Sequence, residues 1–153
     1  MHCVYDISNG TMPVIDVRLH GDTPMPVQTE VGDWIDLCAA EDVDMVAGEY
    51  RKISLGISMK LPDGYEAHIA PRSSTFEKWG ILQTNSMGII DHTYCGDNDI
   101  WRFPALAMRP TKIRKGDRIC QFRIEKRMRN VALRQVDKQT GEDRGGFGST
   151  GSR

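Results

Sequence analysis

The chain has 153 residues, of which 39% are hydrophobic and 27% charged, with a formal net charge of −1. A domain of that length buries roughly 70% of its unfolded surface, so one sizeable core is available. The near-neutral balance argues against the basic field of a nucleic-acid binder, and the sequence has no apolar run long enough to cross a membrane as a helix.

Taken in chain order, the dominant hydrophobic period is two. "MHCVYDISNG" lacks a basic stretch followed by an apolar one and is not read as a secretory signal. "VIDVRL" (14–19) and "WIDLCA" (34–39) read as short strands. In "ISLGISMKL", Ile53, Leu55, Ile57, Met59 and Leu61 alternate with small or polar residues, the pattern of one half-buried strand. "PDG" (62–64) marks a turn and "YEAHIA" (65–70) alternates again. "SSTFEKWG" breaks the pattern. Ser74 with Glu77 three residues on reads as a capping box, and Gly80 as the end of a single short helix. Ile89 and Ile90 lie in a strand that Gly88 allows to kink or approach closely. "IWRFPALAM" (100–108), "RICQFRI" (118–124) and "VALRQV" (131–136) are further strands. In the second of these, Cys120, Phe122 and Ile124 share the apolar face, opposite Ile119, Gln121 and Arg123. Many short strands at this spacing imply an all-β sandwich or barrel in one domain spanning 1–153.

The four cysteines, Cys3, Cys38, Cys95 and Cys120, form no C-x-x-C, and the four histidines no H-E-x-x-H. Reduced thiols, a cytoplasmic location and no protein-ligated transition metal are expected. Several stretches carry candidate chemistry, each beside a plainer alternative. "PRSS" (71–74) is either an ordinary helix cap with a surface arginine or an anion site, where Arg72, Ser73 and Ser74 meet the free N–H groups of a helix start. Asp91, directly after an apolar strand, is either a turn residue or a general base, and Tyr94 offers a flat ring close by. Gln121 is either a solvent-face residue or an amide that orients water or a phosphate oxygen. The tail "EDRGGFGSTGSR" (142–153) formally contains G-x-G-x-x-G at Gly146, Gly148 and Gly151. With only Ser152 and Arg153 after it, no helix follows and the dinucleotide fingerprint fails. What is left is a solvated terminus or a flexible flap.

In sequence order, "GDWIDLCAA", "PRSSTFEKWGI", "NSMGIIDHTYCGD", "GDRICQFRI" and "RGGFGSTG" resemble the five motifs of the trimeric dUTP pyrophosphatase (dUTPase) family, from about Gly32 to Gly151. The central wording is most similar to the type found in Firmicutes and their phages. The resemblance implies a jelly-roll-like β-barrel that forms a homotrimer with active sites between subunits. It also implies a mobile glycine-rich arm, from about 138 to 153, acting as a lid. The implied reaction is Mg-assisted attack of water on the α-phosphorus of dUTP, giving dUMP and pyrophosphate. Asp91 activates the water. Arg72, Ser73 and Ser74 hold the phosphates, and Asn85 with the backbone at Gly88 and Ile90 reads the uracil edge. Tyr94 packs under the deoxyribose, leaving no room for a 2′-hydroxyl, and Gln121 meets the α-phosphate. Phe147 covers the base, while Arg144, Gly148, Ser149 and Thr150 close on the phosphates. Asp36 acts on the metal through water, Mg²⁺ being held mainly by the triphosphate.

Three positions depart from the family pattern. Ile35 stands where a Tyr is usual and Ser74 where a Gly is usual. Arg144 is closer to Phe147 by two residues, which leaves open whether it or another cation, such as Arg153, meets the γ-phosphate. Two other functions stay beside the main one. A dCTP deaminase shares the implied fold, but it needs a glutamate on the strand after the Asp91 hairpin, and no Glu occurs from Gly96 to Pro110. A phage protein of this kind also fits a nucleotide-sensitive ligand of a repressor, alone or in addition to catalysis.

Overall fold

A computed structural model describes residues 12–148 and 151. Among these there are eleven strands and one short helix. In chain order the strands are β1 (Asp16–Leu19), β2 (Ile35–Cys38), β3 (Val43–Met45), β4 (Tyr50–Ser54), β5 (Ile57–Lys60) and β6 (Tyr65–Pro71). After helix α1 (Thr75–Trp79) come β7 (Ile81–Gln83), β8 (Gly88–Ile90), β9 (Arg102–Ala107), β10 (Thr111–Ile113) and β11 (Arg118–Lys126). Every pairing is antiparallel. The sheets run β1-β5, β10-β3, β2-β11-β6-β8 and β4-β9-β7, wrapped around a single core as a β-barrel.

The alternation in 53–61 describes burial correctly: all five apolar residues are inside. It is not one strand, however. β4 pairs with β9 and β5 with β1. The break is Gly56, at φ +65°, where a Cβ would stand 2.1 Å from Thr23 Oγ1. Only glycine turns this corner under so close a neighbour. Strands β3, β7 and β10 have three residues each, too few for a period of two to register. The expected strand over 131–136 does not form. Val131, Leu133 and Val136 are exposed, and no described strand pairs with them.

The helix is where expected, and Gly80 ends it at φ +62° with its N–H on Phe76 O. The capping box is absent. Ser74 has helical backbone angles and makes no side-chain cap bond, whereas a capping side chain needs an extended backbone to reach back. The other correction is in β11. Its register against β2 shifts between Arg118 and Cys120. The extra residue of this bulge turns Ile119 inward, so Ile119 and Cys120 are both buried and Ile119 leaves the face of Gln121.

Trp101 and Phe122 anchor the centre, both at most 1% exposed, with ring centroids 5.3 Å apart in an edge-to-face arrangement. Phe122→Ala is expected to lower unfolding stability by about 3–5 kcal/mol, read from the denaturant midpoint. A loss well under 1 kcal/mol would remove this pair from the centre of the core.

Candidate active site

Two groups of the expected residues form, at opposite ends of β6. The first is built where β6 passes into α1. Arg72 N donates to Thr75 Oγ1 at 2.8 Å, and Thr75 Oγ1 donates to Ile119 O at 2.9 Å, at the bulge. Thr75 is fully buried, so this hydroxyl ties the 71–74 turn to β11. The Arg72 guanidinium is then clasped twice. Its Nε meets Asp36 Oδ1 at 3.0 Å and its Nη1 donates to Arg118 O at 3.2 Å. Arg118 Nη1 reaches the other Asp36 oxygen at 3.4 Å. Gln121 is opposite Asp36 in register, and its Nε2 donates to Pro71 O at 3.1 Å. Asp36, Arg72, Ser73 and Gln121 line a concavity of about 310 Å³ beside the 27–33 loop. Ser73 is exposed there. Ser74 is half-buried and does not line it.

The second group is on the hairpin that leads through β8. The turn before it puts Ser86 at φ +60° and closes with Met87 N on Asn85 O at 2.6 Å. Gly88 packs against β6, where a Cβ would lie 3.1 Å from Ile69 Cβ. Buried Gln83 braces this contact from behind, donating to Ile69 O at 3.1 Å. After β8, Asp91 Oδ1 accepts from Thr93 N and from Thr93 Oγ1, both at 2.7 Å. These two bonds, the backbone one first, hold the Asp91 carboxyl below the usual carboxylate range. The Tyr94 hydroxyl donates to Ile100 O at 3.1 Å. Asp91 and Tyr94, with Ile89, Ile90, Ile100 and Arg102, line a second concavity of about 320 Å³. Asn85 lines neither concavity.

The two groups are not brought together within the chain. Asp91 follows Ile90, which pairs with Ala67, while Arg72 follows Pro71 at the far end of the same strand. At the rise of an antiparallel strand the separation is roughly 20 Å. Among the described tail residues, none lines either concavity. Arg144, Phe147 and Gly148 are exposed, and the Phe147 ring stands clear of the rest of the chain at φ +49°. Ser149 and Thr150 lie outside the described residues.

Burial pushes the Cys38 and Cys120 thiols up, so both stay protonated and are not poised as nucleophiles. Among the described residues, no three His, Cys, Asp or Glu side chains are grouped to hold a metal ion. Both Asp36 oxygens face guanidinium groups, Oδ1 that of Arg72 and Oδ2 that of Arg118. Sequence reasoning missed Thr75, Thr93 and Arg118. Thr75 and Thr93 stand within two or three residues of singled-out positions. Arg118 is the third residue of the quoted segment "GDRICQFRI" and the first of β11.

Comparison with known proteins fits this geometry. The sequence pattern described as dUTPase matches residues 25–151. The SPbeta prophage-derived deoxyuridine 5′-triphosphate nucleotidohydrolase of Bacillus subtilis is 60% identical over 124 residues, 81% of this chain and 87% of that protein. The deoxyuridine 5′-triphosphate nucleotidohydrolase of Thermobifida fusca is 39% identical over 145 residues, 93% of this chain and 80% of that protein. In fold, the chain is similar to the Staphylococcus bacteriophage 80alpha dUTPase with dUPNHPP, at TM-score 0.76 and 20% identity over 90% of this chain and 98% of that one. It is also similar to a mutant dUTPase of phage phi11 of S. aureus that coordinates a structural Mg(II) ion, at TM-score 0.71 and 19% identity over 82% of this chain and 97% of that one.

The Thr75 link tests the first group by itself. Thr75→Val is expected to cost about 1–3 kcal/mol of stability, since Arg72 N and buried Ile119 O lose their partner. Thr75→Ser is expected to retain most of it. Equal denaturant midpoints for wild type and Thr75→Val would show that the link carries no load.

Proposed function

The chain belongs to the dUTPase family, and from that premise we propose that it hydrolyses dUTP to dUMP and pyrophosphate at sites shared between copies of itself. The observation that carries this is the separation of the two groups along β6. A cationic group fit for phosphates and a carboxylate beside a flat pocket fit for a nucleoside are roughly 20 Å apart in one chain. A second copy, turned so that its Asp91 meets the first copy's Arg72, closes the distance. A closed homotrimer repeats that contact three times. The exposed Val131, Leu133 and Val136, and the solvent-bound Phe147, fit an arm that reaches a neighbouring chain.

In this reading the Asp91 hairpin and Tyr94 form the nucleoside half. Tyr94, fixed by its bond to Ile100 O, floors the sugar. Asn85, Gly88 and Ile90 offer polar backbone and amide groups to the uracil edge. Arg72, Ser73 and Gln121 of the other copy receive the phosphates, with Ser74 contributing through the backbone of its turn. Asp36 serves as their anchor, since it holds Arg72 and Arg118 in place. Mg²⁺ brought by the triphosphate would neutralise part of its charge, and Asp36 would meet it through water.

Asp91, kept ionised by Thr93, orients water in line with the α-phosphorus and accepts its proton as the pyrophosphate leaves. Positioning and charge neutralisation supply most of the rate in such chemistry. Phe147 then covers the base, a contact worth ~1–3 kcal/mol, while Arg144, Gly148, Ser149 and Thr150 close over the phosphates. The absence of Glu from 96 to 110 and the 60% identity to a nucleotidohydrolase favour hydrolysis over deamination. Phage dUTPases that control transfer of virulence genes share this fold. A repressor partner would be an addition to catalysis rather than a replacement, since this chain keeps the catalytic set.

Purified protein with Mg²⁺ is expected to convert dUTP, and not dCTP, dTTP or UTP, to the monophosphate and pyrophosphate. Asp91→Asn is expected to lower kcat on the order of 1000-fold while nucleotide still binds. Removal of residues from Gly145 onward is expected to cripple turnover without dissociating the trimer. Release of dUTP or dUMP from dCTP would move the assignment to deamination, and full activity of the truncated chain would remove the lid.

A further inference from the structure

The Asp91 carboxylate is loaded on one side. Thr93 N and Thr93 Oγ1 both donate to Oδ1 at 2.7 Å, and His92 Nδ1 faces the same oxygen at 3.3 Å. Among the described residues, every recorded contact of this carboxylate falls on Oδ1. A carboxylate oxygen has two lone pairs, so the two Thr93 donors already saturate it. They also fix the rotation of the group, because both come from one residue of a tight turn that is closed by Tyr94 N on Asp91 O at 3.0 Å. Asp91 is largely exposed, so packing does little to restrain it.

We propose that Thr93 is a positioning residue for the hydrolysis set out above: by occupying Oδ1 with two donors, it dedicates Oδ2 to the attacking water and fixes its direction. The assignment rests on Asp91 being the water-orienting group. The other charged neighbours do not duplicate this role. Arg127, at the end of β11, points its Nη1 at His92 Nε2 at 3.1 Å rather than at the carboxylate. On β6, opposite the end of β8, Glu66 is engaged with His68 at 3.2 Å.

The same bonds carry a pH signature. They favour the ionised carboxylate and hold its pKa down. Activity that needs the carboxylate is present above that pKa and is lost as pH falls through it. Removing the hydroxyl bond lets the pKa rise, so the acid limb of the rate profile moves to higher pH. The backbone bond stays, so the movement is partial.

The experiment is the pH dependence of kcat and KM for dUTP with Mg²⁺, in the full-length wild type, Thr93→Val, Thr93→Ser and Asp91→Asn. Thr93→Val is expected to lower kcat on the order of 10-fold at neutral pH, as for loss of one hydrogen bond to a charged group. Its KM is expected to change little and its acid limb to shift upward. Thr93→Ser, which keeps the hydroxyl, is expected to restore both kcat and the limb. A wild-type profile in Thr93→Val overturns the proposal. So does a uniform loss with an unmoved limb, because that is the mark of a loosened turn. If Asp91→Asn keeps near-normal turnover, the water-orienting role itself falls and Thr93's falls with it. If Asp91→Asn is inactive while Thr93→Val is unchanged, only Thr93's role is lost.

Discussion

Strand β6 runs seven residues, from Tyr65 to Pro71, and its length sets the terms for the chemistry. At its start it pairs with the strand that delivers Asp91; at its end it delivers Arg72. A strand paired on both sides, by β8 and β11, cannot bend to bring its ends together. The barrel that makes this strand rigid therefore keeps the nucleoside half and the phosphate half apart. On the proposed reading, in which both halves serve one site, assembly of several copies is a requirement of the reaction and more than a source of stability.

Within each half, a small number of bonds substitute for bulk. The phosphate half has no long helix to supply a dipole, since α1 is five residues. Its order comes from Thr75, which joins the Arg72 backbone to the β11 bulge, and from Asp36, which holds two guanidinium groups side by side. Arg72 is the cation that lines the concavity, with Asp36 and Asp33 beside it, while Arg118 meets Asp36 from outside that lining. The nucleoside half is a turn braced on glycine. Gly88 lets β8 lie close on Ile69, and Gln83 holds that contact from below.

Much of this was legible in the sequence, for physical reasons. Period-two burial showed the core residues of 53–61, because side chains alternate whatever a strand pairs with. It did not show the corner at Gly56, since alternation says nothing about which partner a strand has. Strands of three residues, such as β7, are fixed by their pairing with β9 rather than by a pattern of their own. Ser74 carried the sequence signature of a cap, yet the hydroxyl that ties down the turn belongs to Thr75, one position on. Burial against Ile119 decided between them, and that neighbour is 44 residues away. The bulge at Ile119 is likewise a product of tertiary register. Val131 and Leu133 alternate as in a strand and Val136 falls out of phase, and among the described residues no strand pairs with this segment.

The central claim is that each active site is shared, and mixing inactive chains tests it most directly. Asp91→Asn and Arg72→Ala each destroy one half and leave the other intact. Co-refolded in equal amounts, chains that assort at random restore both halves at about a quarter of the sites in a closed trimer. The account predicts dUTP hydrolysis in the mixture from two proteins that are inactive alone. Mixed trimers that form yet remain inactive would contradict it, because each site would then be built from the residues of a single chain.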